Sequence, residues 1–294
     1  MIAVLVNPGA GSGGDRDLRK QLEDLFLEAG TEATICLLRP GIDPAEAARD
    51  AARSSAVVVA AGGDGTVSAV ASALVGTTTP LGVLPLGTLN HFAKDLRIPL
   101  DLKGAIATVA AGHVAAVDVG RLNDRTFLNN ASIGLYPNIV ELRDELRRHG
   151  RRKWPAFMSA AAKVLWSYRG VAVKIDSGGT RWAGRTPFVF VGNNEYTVDG
   201  LHLGGRPTLT GGRVVAYLTP RVRSRGLPLL LARAIVGRGL RSGKFEIFAT
   251  PQLDIALSGA PRIRVALDGE VTMMSTPLHF RIDPMALKVL TPHE

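Results

Sequence analysis

Five consecutive residues, Gly62-Gly63-Asp64-Gly65-Thr66, combine the parts that a phosphate site requires. The run Ala56-Val57-Val58-Val59-Ala60-Ala61 before them reads as a buried strand. After them, Val67, Val70, Ala71 and Leu74 follow the i, i+3, i+4, i+7 spacing of one helix face. The glycines therefore fall on a strand-to-helix turn, where N–H groups lack partners and the helix dipole is positive. Glycine lets the backbone approach an anion with no Cβ between them. A plain tight turn is the competing explanation for any single such cluster.

Two further clusters shift the balance. Asn7-Pro8-Gly9-Ala10-Gly11-Ser12-Gly13-Gly14 follows the apolar run Ile2–Val6 and precedes a helix face of Leu18, Leu22, Leu25 and Phe26. Pro85-Leu86-Gly87-Thr88-Leu89-Asn90-His91-Phe92 follows the strand-like Leu81-Gly82-Val83-Leu84. Three glycine-bearing loops thus end three expected parallel strands, the place where open α/β sheets bind ligands. The Gly-Lys-Ser/Thr ending of a P-loop is absent, and the dinucleotide fingerprint is matched only in part by Gly9, Gly11 and Gly14.

In this order, Asn7-Pro8…Gly11, Gly62-Gly63-Asp64-Gly65-Thr66 and Gly87-Thr88-x-Asn90 resemble the diacylglycerol kinase catalytic domain, and more closely the small bacterial lipid kinases of that family. The resemblance is strong over residues 1–100 and returns at Leu267-Asp268-Gly269-Glu270, which is similar to the family's late Asp-Gly-Glu motif. The Gly-Gly-Asp-Gly segment alone is shared with NAD kinases and phosphofructokinases. The resemblance implies an ATP- and Mg²⁺-dependent kinase acting on diacylglycerol or a related lipid. It implies that Asn7, Pro8, Gly9, Ala10, Gly11, Gly62, Gly63, Asp64, Gly65, Thr66 and Thr88 bind ATP. Asn90 is a candidate to bond the nucleotide or, equally, to cap a helix. Asp64 is the candidate Mg²⁺ ligand, against the ordinary role of bonding its own turn.

Asp268 is the candidate general base. Pattern alone favours a hairpin turn, because Asp-Gly is a strong turn dipeptide, and only the family match reverses that preference. Glu270 would orient Asp268 or contact the metal, or is a plain surface acid. Two departures stand out. His91 occupies a position where family members often have Asp, and the stretch 207–213 lacks the acid with which many relatives hold a second, structural Mg²⁺. No second metal site is expected. The alternatives to a lipid kinase are an NAD kinase-like enzyme, for which Asn193-Asn194-Glu195 is a weak sign, and a nucleotide-binding regulatory protein without catalysis.

Such loops need a scaffold. The 294 residues, 46% hydrophobic, can form ordinary cores. The alternation of strands at 2–7, 33–38, 56–61 and 81–84 with helices at 15–29, 43–54, 66–75, 89–96 and 101–111 implies a parallel sheet covered by helices. Asp43-Pro44-Ala45-Glu46 marks one helix start as N-cap, N1 and capping-box acceptor. Beyond about residue 118, short β-rich runs dominate, among them 125–131, 171–176, 187–192, 213–218, 244–249, 254–256, 262–267 and 278–282, with helical stretches near 138–149 and 155–168. The expected fold is α/β: a nucleotide-binding parallel-sheet domain over 1–118, with 286–294 as a candidate return to it, followed by a β-rich antiparallel sandwich over 119–285. The resemblance implies the same architecture, with the active site in the cleft between the two parts.

The net charge of +9 attracts ATP, anionic membranes or nucleic acid. Nucleic acid is disfavoured by an aromatic content of 5%, which leaves few stacking platforms. The stretch 221–245 holds seven basic residues and no acidic one among leucines, and Arg147, Arg148, Arg151, Arg152 and Lys153 precede Trp154. These read either as solvated faces over a core or as surfaces for anionic headgroups. The single cysteine, Cys36, is expected in the core and excludes an intrachain disulfide. Met1 leads directly into a strand without a basic n-region, and no apolar run has the length of a membrane span. A cytoplasmic protein with peripheral contact at the inner membrane face is the expectation. Oligomeric state is not readable.

Overall fold

The structure, a computed structural model, describes residues 1–8, 15–135, 137, 170–199, 202–218, 245–259 and 261–293. The expected helices near 138–149 and 155–168 and the basic clusters at 147–153 and 221–244 lie outside the described residues, as do Gly9, Ala10 and Gly11.

The first half runs β1 (Ile2–Val6), α1 (Asp15–Glu28), β2 (Ala33–Leu37), α2 (Pro44–Ala52), β3 (Val57–Gly62), α3 (Asp64–Leu74), β4 (Leu81–Pro85), α4 (His91–Asp95) and α5 (Leu102–Ala111). The apolar strands pair in parallel in the order β2-β1-β3-β4, Val4 lying beside Ile35 and Val59. On α3, Val67, Val70, Ala71 and Leu74 are buried, as their spacing predicts. Asp43 caps α2, its carboxylate accepting from the Ala45 N–H at 3.0 Å. The chain leaves β1 toward β2 on one side and resumes with β3 on the other. The crevice beyond the carboxyl ends of β1 and β3 is therefore a topological switch point.

The second half adds β5 (Val114–Leu122), β6 (Arg125–Phe127), β7 (Asn130–Gly134), β8 (Val171–Asp176), β9 (Arg181–Thr186), β10 (Phe188–Asn193), the short pair β11 (Val198–Asp199) and β12 (His202–Leu203), β13 (Val214–Leu218), β14 (Glu246–Thr250), β15 (Gln252–Leu257), β16 (Arg262–Leu267), β17 (Glu270–Ser275) and β18 (Leu278–Leu290). Strands β14-β13-β10-β7-β16-β17 form an antiparallel sheet. The parallel sheet is extended through β18, whose Val289 lies beside Leu81 of β4, to β15, β8 and β9. A second core, with Phe127, Val191, Val265 and Phe280, is buried in addition to the core around β1, β3 and β4. The mixed fold with one parallel-containing sheet and one separate antiparallel sheet agrees with the class read from the sequence.

Two differences have clear causes. The run expected as one strand over 125–131 is two, β6 and β7, in different sheets. Its break at Leu128 and Asn129 frees backbone N–H groups that are used in the site below. Cys36 is exposed rather than buried. It sits on the edge strand β2, where period-two alternation buries Ile35 and turns Cys36 to the other face. Among the described residues, no helix is long and apolar enough to cross a membrane.

Candidate active site

The carboxyl ends of β1, β3 and β4 bring Asn7, the 62–66 turn and the 87–90 loop together. The Asn7 side-chain amide donates to the Thr66 hydroxyl at 2.9 Å, bridging the switch point. Thr66 is buried and packs against Gly62, where an added Cβ would fall 2.7 Å from the Thr66 side chain. Gly63 is the N-cap residue of α3 in extended backbone (φ −85°, ψ −179°), with no side-chain cap on the helix. The helix start therefore presents uncapped N–H groups. Gly87 faces Gly63 so closely that a Cβ on Gly87 would lie 2.5 Å from the Gly63 Cα. Two backbones meeting without side chains make a shallow cradle at a helix N-terminus, a shape and polarity suited to phosphate.

Asp64 opens α3, and its Oδ1 accepts the His91 N–H at 2.8 Å, tying α3 to α4. Asn90 has φ 51° and makes no side-chain cap bond. Its amide instead donates to the carbonyls of Gly87 at 2.8 Å and Pro85 at 3.4 Å, so side-chain capping, one of its two expected roles, is absent. Thr88 and Leu89 are exposed on the same loop.

From the antiparallel sheet, the β16–β17 hairpin reaches α3. Asp268 and Gly269 form its two-residue tip with φ of 45° and 89°, the pair of positive values that a type I′ turn requires. The Asp268 carboxylate is fully engaged. Oδ1 accepts from Asn129 N (2.8 Å) and Asn130 N (3.1 Å), while Oδ2 accepts from Leu128 N (2.8 Å) and the Ser68 hydroxyl. Burial pushes its pKa above the ordinary carboxylate value, against the pull of these four bonds. All four acceptor positions of the group that was expected as base are thus occupied.

Glu270 is exposed, and its Oε1 lies 2.9 Å from where a Cβ on Gly65 would stand. It lines a cleft of about 510 Å³ between α3, the β16–β17 hairpin and the antiparallel β5–β6 pair, with Gly65, Ser68, Arg121, Arg125 and Asp268. Arg121 is paired with Asp283. Among the described residues, no cluster of three or more His, Cys, Asp or Glu could hold a metal ion. A Mg²⁺ at Asp64 would have to complete its shell with phosphate oxygens and water, as this ion commonly does. The donor chemistry fits: one Asp64 oxygen serves His91, and the other has no described partner.

Sequence reasoning does not single out Asp95, Asp118, Asn129 or Arg206, and reads Asn193 only as part of a weak motif. Arg206 is buried and ion-paired with Asp95 at 2.8 Å. Asn193 is buried and donates to the Asp118 and Leu128 carbonyls, both at 2.9 Å. Of Asn193-Asn194-Glu195, the weak sign of an NAD kinase, the two asparagines are thus buried while Glu195 is exposed. The one available signal was buried-type polarity inside apolar runs, as at Asp118 in Val117-Asp118-Val119.

Residues 1–122 match the family model described as the diacylglycerol kinase catalytic domain. A diacylglycerol kinase of Staphylococcus saprophyticus is 33% identical over 137 residues, covering 45% of this chain and 44% of that protein. One of Staphylococcus aureus strain bovine RF122 is 34% identical over 137 residues, covering 45% and 42%. The match spans less than half the length of these relatives. The whole chain is similar to the crystal structure of a diacylglycerol kinase from Bacillus anthracis str. Sterne, with TM-score 0.72, 19% identity and coverage of 99% of this chain and 96% of that one. A second chain from that organism aligns with TM-score 0.74, 22% identity and the same coverages. These two likenesses establish the fold.

Proposed function

We propose, taking as premise that residues 1–122 carry the family's catalytic domain, that the protein transfers the γ-phosphoryl group of ATP to the hydroxyl of diacylglycerol or a related membrane lipid. The observation that carries this reading is the approach of an acid-bearing hairpin to the phosphate cradle: Glu270 beside Gly65, at the uncapped start of α3. Phosphoryl transfer depends mostly on position and charge, and needs an acceptor for the proton of the attacking hydroxyl.

In this reading Asn7, Gly62, Gly63, Gly65, Thr66, Thr88 and Asn90 shape the ATP site, together with Pro8 and with Gly9, Ala10 and Gly11 of the adjoining loop. Asp64 holds Mg²⁺, which supplies charge neutralisation at the phosphates. The lipid hydroxyl enters from the cleft beside Ser68 and Glu270. Glu270 accepts its proton, because its carboxylate is exposed and no described group occupies it. Asp268 has a supporting role instead, since its four bonds hold the hairpin tip against α3 and residues 128–130. This moves the role expected of Asp268 to its neighbour two residues on, and leaves Asp268 as the competing base in the test. The lipid is met at a membrane surface, for which the net charge of +9 is favourable.

The test is incubation with ATP labelled in the γ-phosphate and a panel of total membrane lipids. Labelled lipid that disappears in Glu270→Gln supports the reading. Label appearing in NADP instead, or ATP binding without transfer to any lipid, overturns it.

A further inference from the structure

The Arg206 guanidinium has no exposed side-chain surface, and every one of its nitrogens is used. Nε and Nη2 meet Asp95 Oδ2, both at 2.8 Å. Nη2 also donates to Asn129 Oδ1 at 2.9 Å, and Nη1 to the carbonyls of Leu128 (2.6 Å) and Asn193 (3.0 Å). The Tyr196 ring lies 5.6 Å away, its hydroxyl donating to the Asn129 carbonyl at 3.1 Å. The segment that receives the fork of Arg206 is the one whose three N–H groups hold Asp268.

These bonds close a ring. Helix α3 reaches the hairpin through Ser68 and Asp268, and the hairpin reaches residues 128–130 through Asp268. Those residues reach α4 through Arg206 and Asp95, and α4 returns to the start of α3 through His91 N–H and Asp64. The members are separated by up to 200 residues in sequence. Beside Ser68–Asp268 and the packing of Leu128 into the first core, the Arg206 fork is a further, polar link between the hairpin's support and the glycine-bearing half.

We infer that Arg206 is a positioning residue: its buried fork holds residues 128–130, and through them the acid-bearing hairpin, in register with the 62–66 turn and the 87–90 loop. The inference rests on the proposed phosphoryl transfer for its catalytic consequence, but not for its structural one. With no exposed side-chain surface, Arg206 is not placed to meet nucleotide or acceptor, and acts through its partners Asp95, Leu128, Asn129 and Asn193. Lysine keeps a charge for Asp95 but has no planar fork to reach Leu128, Asn129 and Asn193 at once.

The test uses the full chain with Arg206→Lys and, as a milder cut at the opposite link, Ser68→Ala. Amide exchange is followed at residues 128–130 and, as control, in β1 and β3. In Arg206→Lys the 128–130 amides are expected to exchange at least tenfold faster, with the control strands unchanged. Turnover should fall roughly 10–100-fold, the scale of a misplacement near 1 Å, with ATP affinity within about twofold of the parent. Ser68→Ala should show the same split between turnover and ATP affinity. Exchange at 128–130 that stays at the parent rate, or that rises only in step with β1 and β3, overturns the inference. So does unchanged turnover in both variants. If Arg206→Lys does not fold, Ser68→Ala decides: parent turnover together with parent exchange at 128–130 overturns the ring. If the parent labels no lipid, the lipid kinase reading falls and exchange alone decides the role of Arg206.

Discussion

Replacing Asp268 by Asn separates a turn and support role from a proton-accepting one. Asparagine suits the left-handed φ of 45° at this position, and Asn-Gly is a favoured type I′ pair, so the hairpin tip survives. The hydrogen bonds do not. The wild-type carboxylate accepts two bonds on each oxygen. Asparagine has one acceptor oxygen, which can keep the Asn129 and Asn130 N–H groups. Its amide nitrogen then faces the Leu128 N–H, donor against donor, whereas the Ser68 hydroxyl can rotate and accept. One enclosed N–H is left without a partner, at a cost of about 1–3 kcal/mol. For a chain of this size that corresponds to a melting temperature lowered by roughly 2–10 °C. Glu270→Gln, at an exposed residue without a described partner, should shift stability by less than about 0.5 kcal/mol. It should nonetheless lose roughly 10²–10⁴-fold in single-turnover rate if Glu270 accepts the proton. Calorimetry and single-turnover transfer on both variants decide between the two acids. Asp268→Asn melting with the parent, together with Glu270→Gln turning over within about threefold of it, would refute the reasoning and return Asp268 to the role of base.

Three further outcomes follow from the same geometry. Gly63→Ala should fold normally, since among the described residues a Cβ there meets only the Gly87 Cα at an ordinary 3.5 Å, yet bind ATP more weakly; unchanged affinity by calorimetry would take the cradle out of the nucleotide site. Cys36, the only cysteine, lines a groove with Pro8 at the end of β1, so saturating ATP should slow its reaction with a thiol reagent severalfold in mass spectrometry; equal rates would place the nucleotide elsewhere. Neutralising Arg221, Arg223 and Arg225, in the basic stretch outside the described residues, should reduce co-sedimentation with anionic vesicles at low salt, where charge interactions are least screened, and equal binding would contradict a membrane role for 221–245.

The parts of this molecule legible in the sequence are those specified by neighbours. The apolar runs at β1, β3 and β4, the i, i+3, i+4, i+7 face of α3 and the Asp43 cap all follow from short-range pattern, and the structure has them within a residue or two. The strands that pattern does not reveal are those whose alternation is interrupted or polar. Val114–Leu122 carries Asp118 and Gly120 in its middle, and the edge strands Arg181–Thr186 and Glu270–Ser275 are largely exposed. Cys36 went the other way, because an apolar run does not say that its strand lies at a sheet edge.

The site was legible only as loops, not as a network, and Asp268 shows why. In the sequence its turn role and its functional role stand as alternatives, yet the turn is what delivers the side chain. A two-residue I′ tip places Asp268 beyond the last ladder pair, Leu267 with Glu270, free of the sheet and within reach of Ser68 and the three N–H groups at 128–130. Those N–H groups are available only because the expected strand breaks at Leu128, and that break is held by Arg206, whose partner Asp95 ends a five-residue helix. None of these residues carries a short-range signature. A buried arginine and a strand break have meaning only once residues 95, 128–130, 206 and 268 are neighbours, and their adjacency comes from sheet order rather than spacing. The glycine motifs announce where an anion can sit. In the proposed mechanism, the long-range polar ring is what aligns a proton acceptor with that anion, so the ring carries most of the mechanism's testable content.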